Sequence, residues 1–159
     1  MSDLSSPLPE TGAALALALG LARAQATMVR RLDQVLGSYH GISFGDFMLL
    51  NSLARAPGGR MRRVDLAERQ GLTASGVTRT LLPLEKIGLI ERQQDPRDAR
   101  VAYAALTASG RELLLNATPA AELCSKDLLR NCPGEQYASL TEAMTIISGL
   151  PSVPLGSAN

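Results

Sequence analysis

The sequence predicts a mainly α fold with a small β-hairpin wing, flanked by long N- and C-terminal helices. Three observations predict it. Apolar residues recur at three- and four-residue steps over most of the 159-residue chain. Two short helical stretches meet at a tight turn at Gly71 in its middle third. Two strand-like runs then flank the turn-rich segment Asp95-Pro96-Arg97-Asp98-Ala99.

The elements follow in order. Residues 1–11 are Ser- and Pro-rich and read as a loose arm. A long helix over about residues 12–38 carries Leu15, Leu19, Ala22, Ala26, Val29, Leu32 and Leu36 on one stripe. Ser43 is placed to cap a second helix, which Pro57-Gly58-Gly59 stops. A short helix covers residues 63–70, with Val64, Leu66 and Ala67 as apolar contacts and Gly71 as its end. Thr73 caps the next helix, whose inner face carries Val77, Leu81 and Leu84. Pro83 removes the N–H that the Arg79 carbonyl would accept, so a kink or a tightened last turn is expected. Residues 89–94 and 100–106 read as strands, the second alternating Val101, Tyr103 and Ala105. Thr107 caps a long helix that Pro133-Gly134 ends. A last helix carries Leu140, Ala143, Met144, Ile147 and Leu150, before a Pro/Gly/Ser-rich tail over residues 151–159. One unit over residues 12–150 is expected, its central lobe at about 43–106 and its flanking helices at 12–38 and 107–150.

Composition narrows the function. Net charge is only +1, but residues 58–106 hold nine Arg/Lys against six Asp/Glu, and eight of the nine are Arg. Arg suits bidentate contact with phosphate and guanine, although such charge can equally be a solvated face. Two Phe, three Tyr and no Trp leave few platforms for stacking single-stranded bases. His40 is the only histidine, and Cys124 and Cys132 show no metal-ligand spacing, so no metal and no cofactor is expected. Core or interface packing is the favoured role of the two cysteines over a redox one. No GxSxG and no phosphate-cradling Gly loop occurs, which argues against an enzyme. The apolar run at residues 13–22 lacks a basic upstream flank and cannot span a bilayer, so a cytoplasmic protein is expected.

The order helix, tight turn, helix, strand, basic hairpin, strand is that of a winged helix-turn-helix. A helix about 10–12 Å across fits the major groove of duplex DNA. A basic hairpin beside it can reach the minor groove. Four stretches over residues 72–110 carry a family resemblance. They are Leu72-Thr73-Ala74-Ser75-Gly76-Val77-Thr78-Arg79; Leu84-Glu85-Lys86-Ile87-Gly88-Leu89-Ile90-Glu91-Arg92; Asp95-Pro96-Arg97-Asp98-Ala99-Arg100; and Leu106-Thr107-Ala108-Ser109-Gly110. Together they resemble the recognition helix, turn, wing and exit pattern of the MarR family (multiple antibiotic resistance regulators).

That resemblance implies a DNA-binding transcription regulator, a repressor relieved by a ligand. It implies a homodimer whose terminal helices form the interface, palindromic double-stranded DNA as partner, and small aromatic or phenolic effectors. It places Thr73, Ser75, Thr78 and Arg79 toward DNA. Arg97 matches the wing-tip arginine, Asp95 the acid that steers it, and Arg100 closes the wing motif. Met61-Arg62-Arg63 departs from the family's Ser/Thr cap at this point. Arg62 and Arg63 could contact phosphate there, or simply be solvated. Met28, Arg31, Phe44, Phe47 and Met48 lie on helices expected to wall an effector pocket, though a Phe/Met stripe also suits a core. The other reading is a winged-helix interaction module without specific DNA binding, which would have a neutralised recognition helix and wing. Arg79, Arg97 and Arg100 count against it.

Overall fold

The computed structural model describes residues 10–98 and 100–149. Most of the expected arm, the tail, Leu150 and Ala99 lie outside the described residues. Helix α1 runs Ala13–His40 and α2 runs Phe44–Arg55. A single 3-10 turn at Pro57–Gly59 leads to strand β1, Arg60–Arg62. Helices α3, Arg63–Gln70, and α4, Ala74–Lys86, come next. Strands β2, Ile90–Gln94, and β3, Ala102–Leu106, form the hairpin. Helix α5, Ala108–Leu128, and α6, Tyr137–Ser148, complete the chain. No described helix is long and apolar enough to cross a membrane.

Local chemistry sets the boundaries. Ser43 and Asp46 form a reciprocal capping box at the start of α2, each bonding the other's backbone N–H. Gly71 ends α3 at φ 62°, a left-handed conformation that favours glycine. Helix α4 continues through Pro83 and tightens at its end: the Gly88 N–H donates to Glu85 O and the Leu89 N–H to Leu84 O.

One apolar core joins the elements. Leu32 and Leu36 of α1, Leu49, Leu50 and Leu53 of α2 and Leu66 of α3 are buried in it. Val77, Leu81 and Leu84 of α4 and Leu114, Ala117 and Ala121 of α5 close it from the other sides. Cys124 is buried with them, as its packing role predicted, and both cysteines are free thiols. Asp33 accepts the Phe44 N–H at 2.7 Å and so ties α1 to α2. Arg31 donates to Asp127 at 2.7 Å, which ties α1 to the far end of α5. That guanidinium, with Arg130 beside it, holds the Asp127 carboxyl below its ordinary range.

Three local expectations fail. Val64 is exposed rather than a core contact. The sheet has three strands in the order β1-β3-β2, not two, because β1 pairs antiparallel with β3. That pairing makes β3 central, so Ala104 and Ala105 are both buried and the simple alternation of Val101, Tyr103 and Ala105 is lost.

Candidate nucleic-acid interface

The recognition helix is built by its cap and its buried stripe. The Thr73 side chain accepts the Gly76 N–H at 3.1 Å, so its hydroxyl starts α4 and is not free. With Val77, Leu81 and Leu84 turned inward, Ser75 and Arg79 are exposed, and Thr78 is half-buried. The Thr78 hydroxyl donates to Ala74 O at 3.0 Å, and Arg79 Nε makes only a long 3.4 Å bond to Ser75 O. Little must be broken to release that guanidinium toward a ligand.

Arg62 and Arg63 separate. Arg62 is exposed, stands at the N-cap position of α3 and makes no side-chain cap bond. The Tyr103 hydroxyl beside it, then the Asp65 charge, raise its pKa above the ordinary arginine value. Arg63 instead turns to α4, where its Nη2 bonds Glu85 Oε1 at 2.8 Å with both side chains 23% exposed. Arg63 Nε is buried and lacks a partner among the described residues. In the free chain this guanidinium braces α3 against α4 rather than standing in solvent.

The wing also departs from expectation. Asp95 was expected to hold the Arg97 guanidinium. Its Oδ1 instead accepts the Arg97 backbone N–H at 2.8 Å, and its Oδ2 accepts the Tyr103 hydroxyl at 3.2 Å. These two bonds, that from the Arg97 N–H first, hold the Asp95 carboxyl below the usual carboxylate range. Arg97 is exposed, and its guanidinium has no partner among the described residues. Asp98 accepts the guanidinium of Arg100 and also its backbone N–H, and these bonds, the guanidinium's first, lower its own pKa. Arg100 is thus ion-paired at 3.1 Å, yet almost fully exposed.

The five expected effector residues do not converge. Phe44 and Phe47 stack with ring centroids 6.4 Å apart and pack on the core. Arg31 is paired with Asp127, and Met28 is exposed. Two cavities stand out. A cleft of about 650 Å³ between α2, β1 and α3 is lined by Arg55, Arg60, Arg62, Arg69 and Tyr103. A pocket of about 460 Å³ between α2, α3 and α4 is lined by Met48, Leu49, Gln70, Leu72, Thr80 and Pro83. Of the five residues, only Met48 reaches either cavity.

Known proteins share this arrangement. Residues 42–102, which span α2 to the start of β3, match the MarR family model. The DNA complex of Sco3205, a MarR family transcriptional regulator from Streptomyces coelicolor, superposes with a TM-score of 0.78 at 28% identity, over 91% of each chain. The central lobe of this chain, residues 42–102, is similar to the MarR family. The chain is also similar to curated transcriptional regulators. The chain is 30% identical to the uncharacterized HTH-type transcriptional regulator YdgJ of Bacillus subtilis over 65% of its own length and 62% of that protein. It is 29% identical to the transcriptional regulator HosA of Escherichia coli O111:H-, over 57% of its own length and 65% of that protein. In both cases it spans less than two thirds of the relative's length. Within the MarR-family pattern, the strand β1 and the roles of Tyr103 and Arg60 were not anticipated from sequence. The polar–apolar–polar run Arg60-Met61-Arg62 was the available signal, and three residues are too few to read.

Proposed function

We propose that this protein is a sequence-specific, double-stranded-DNA-binding transcription regulator, acting as a homodimeric repressor on palindromic operators. One observation carries the reading: α4 buries Val77, Leu81 and Leu84 and turns Ser75 and Arg79 outward, beside a hairpin whose Arg97 is unpaired among the described residues. A helix so presented fits the major groove, and a free arginine on the wing fits the minor groove. Binding-site selection with the purified protein tests it. An enriched inverted repeat with half-sites about one helical turn apart is expected. No enrichment over random duplex would refute it.

The dimer rests on uncovered apolar surface. No residue of α6 is buried, and Leu140, Met144, Ile146 and Ile147 are exposed, as are Leu15, Leu17 and Leu19 on α1. Apolar surface on that scale is unusual on a monomer. Light scattering at micromolar concentration should return twice the 16.8 kDa chain mass. A monomer mass with DNA binding intact would refute the dimer. Relief by a small aromatic or phenolic effector is the regulatory part of the proposal. The pocket at Met48 is its candidate site, since it abuts Thr80 and Pro83 of the recognition helix.

The two arginines before α3 give a separable expectation. Arg62→Ala should flatten the salt dependence of DNA binding by about one unit of slope, with base preference kept. Arg63→Ala should leave the slope alone and cost about 1.5–3 kcal/mol of folding stability, the range for a hydrogen bond to a charged group. Fluorescence titrations across a salt series and urea melts measure the two effects. Equal slopes for both variants would contradict the assignment.

A further inference from the structure

Tyr103 sits on the central strand, opposite Arg62 on β1 and Gln93 on β2. Its ring is held from one side by Arg60, whose guanidinium lies 4.7 Å from the ring centroid. Arg60 is itself held, because its Nη1 donates to Gln93 Oε1 at 3.1 Å. The ring is therefore fixed by groups from two other strands. Its hydroxyl then reaches out of the sheet to Asp95 Oδ2 at 3.2 Å, while Asp95 Oδ1 takes the Arg97 N–H. One carboxylate thus bridges a rigid strand residue and the backbone of the wing tip. The Asp95 N–H donates to Val101 O at 3.0 Å and closes the hairpin below it. A two-stranded ribbon has little rigidity of its own, and charge-assisted bonds are the stronger kind.

We propose that Tyr103 is a positioning residue for the wing: its hydroxyl fixes Asp95, Asp95 fixes the backbone at Arg97, and Arg97 is thereby aimed into the minor groove flanking the half-site. The inference rests on the DNA-binding reading above, but its first half concerns the free protein alone. Arg97 carries the contact; Tyr103 acts through it.

Tyr103→Phe keeps the ring and its Arg60 partner and removes only the hydroxyl. In the free protein, NMR amide exchange at Arg97 should become about three- to tenfold faster, the change expected for one modest hydrogen bond. The melting temperature should stay near wild type. In binding-site selection, preference at the flanks should fall while preference within the half-site is kept. Because the Tyr103 hydroxyl also lies beside Arg62, the comparison is made in an Arg62→Ala background, where adding Tyr103→Phe to Arg97→Ala should weaken binding no further. An unchanged Arg97 amide overturns the positioning role, whatever the DNA result. A Tyr103→Phe effect that adds in full to that of Arg97→Ala overturns the route through Arg97. A wild-type protein that selects no duplex while the amide responds overturns the regulatory reading, and the role in DNA with it.

Discussion

Gly110→Ala should be the most destabilising single-methyl change in the protein. Gly110 is buried in the first turn of α5, where that turn lies against the backbone of Leu89. A Cβ added there would fall inside the van der Waals surface of the Leu89 carbonyl oxygen and 2.8 Å from Leu106 Cδ1. A flexible side chain could move away; this carbonyl cannot. It accepts the Thr107 N–H at 3.2 Å and the Thr107 hydroxyl at 3.0 Å, and it follows the turn that ends α4. Relief therefore requires α5 to move off the sheet. Overpacking of a well-filled site costs about 1–3 kcal/mol when side chains absorb it, so about 3 kcal/mol or more is expected where backbone must move. That corresponds to a fall in melting temperature of roughly 6–12 °C for a chain of this size. Ser109→Ala, at the exposed neighbouring position, is the control and should change little. Calorimetry decides, and a Gly110→Ala melt within about 2 °C of wild type would mean that the helix start is more plastic than its packing indicates.

Arg79→Ala should have the largest effect on DNA recognition with the least effect on folding. The side chain lies on the exposed face of α4, and its one intrachain bond is the long contact to Ser75 O. Removing it leaves no cavity and strands no buried partner, so stability should stay within about 0.5 kcal/mol of wild type. A guanidinium in the major groove can make a bidentate contact with guanine, worth about 1–3 kcal/mol of discrimination. The variant should therefore bind its best site about 5- to 150-fold more weakly and accept other bases at one position in each half-site. Selection followed by titration on the wild-type site measures both. Uniform weakening across all sequences would instead mark Arg79 as a phosphate contact.

The helix-turn-helix was legible because its signals are local. Gly71 and Thr73 bracket a turn by their own backbone and side-chain chemistry, and α3 runs over the expected residues. The stripe of Val77, Leu81 and Leu84 needed only helical spacing to be placed inside. What was illegible depended on partners distant in sequence. The strand Arg60–Arg62 exists because β3 offers it a free edge, and nothing in three residues announces that. The Arg63–Glu85 pair spans 22 positions and joins two different helices. Val64 was misread because apolar character alone does not say which side of an eight-residue helix is covered. Asp95 was assigned to the correct neighbour but the wrong atom. A carboxylate two residues before an N–H closes its own turn more readily than it holds a long side chain. The terminal stripes were legible as apolar, but an isolated chain has nothing against which to bury them.

The Thr107 hydroxyl, bonded to both the Gly88 and Leu89 carbonyls, joins the end of one helix to the beginning of another. On one side of that joint stands α4; on the other, α5 extends for 21 residues, about 31 Å. Its distal end is tied to α1 through Arg31 and Asp127. The helix that Thr107 fastens to the end of α4 is therefore anchored a second time, a helix-length away.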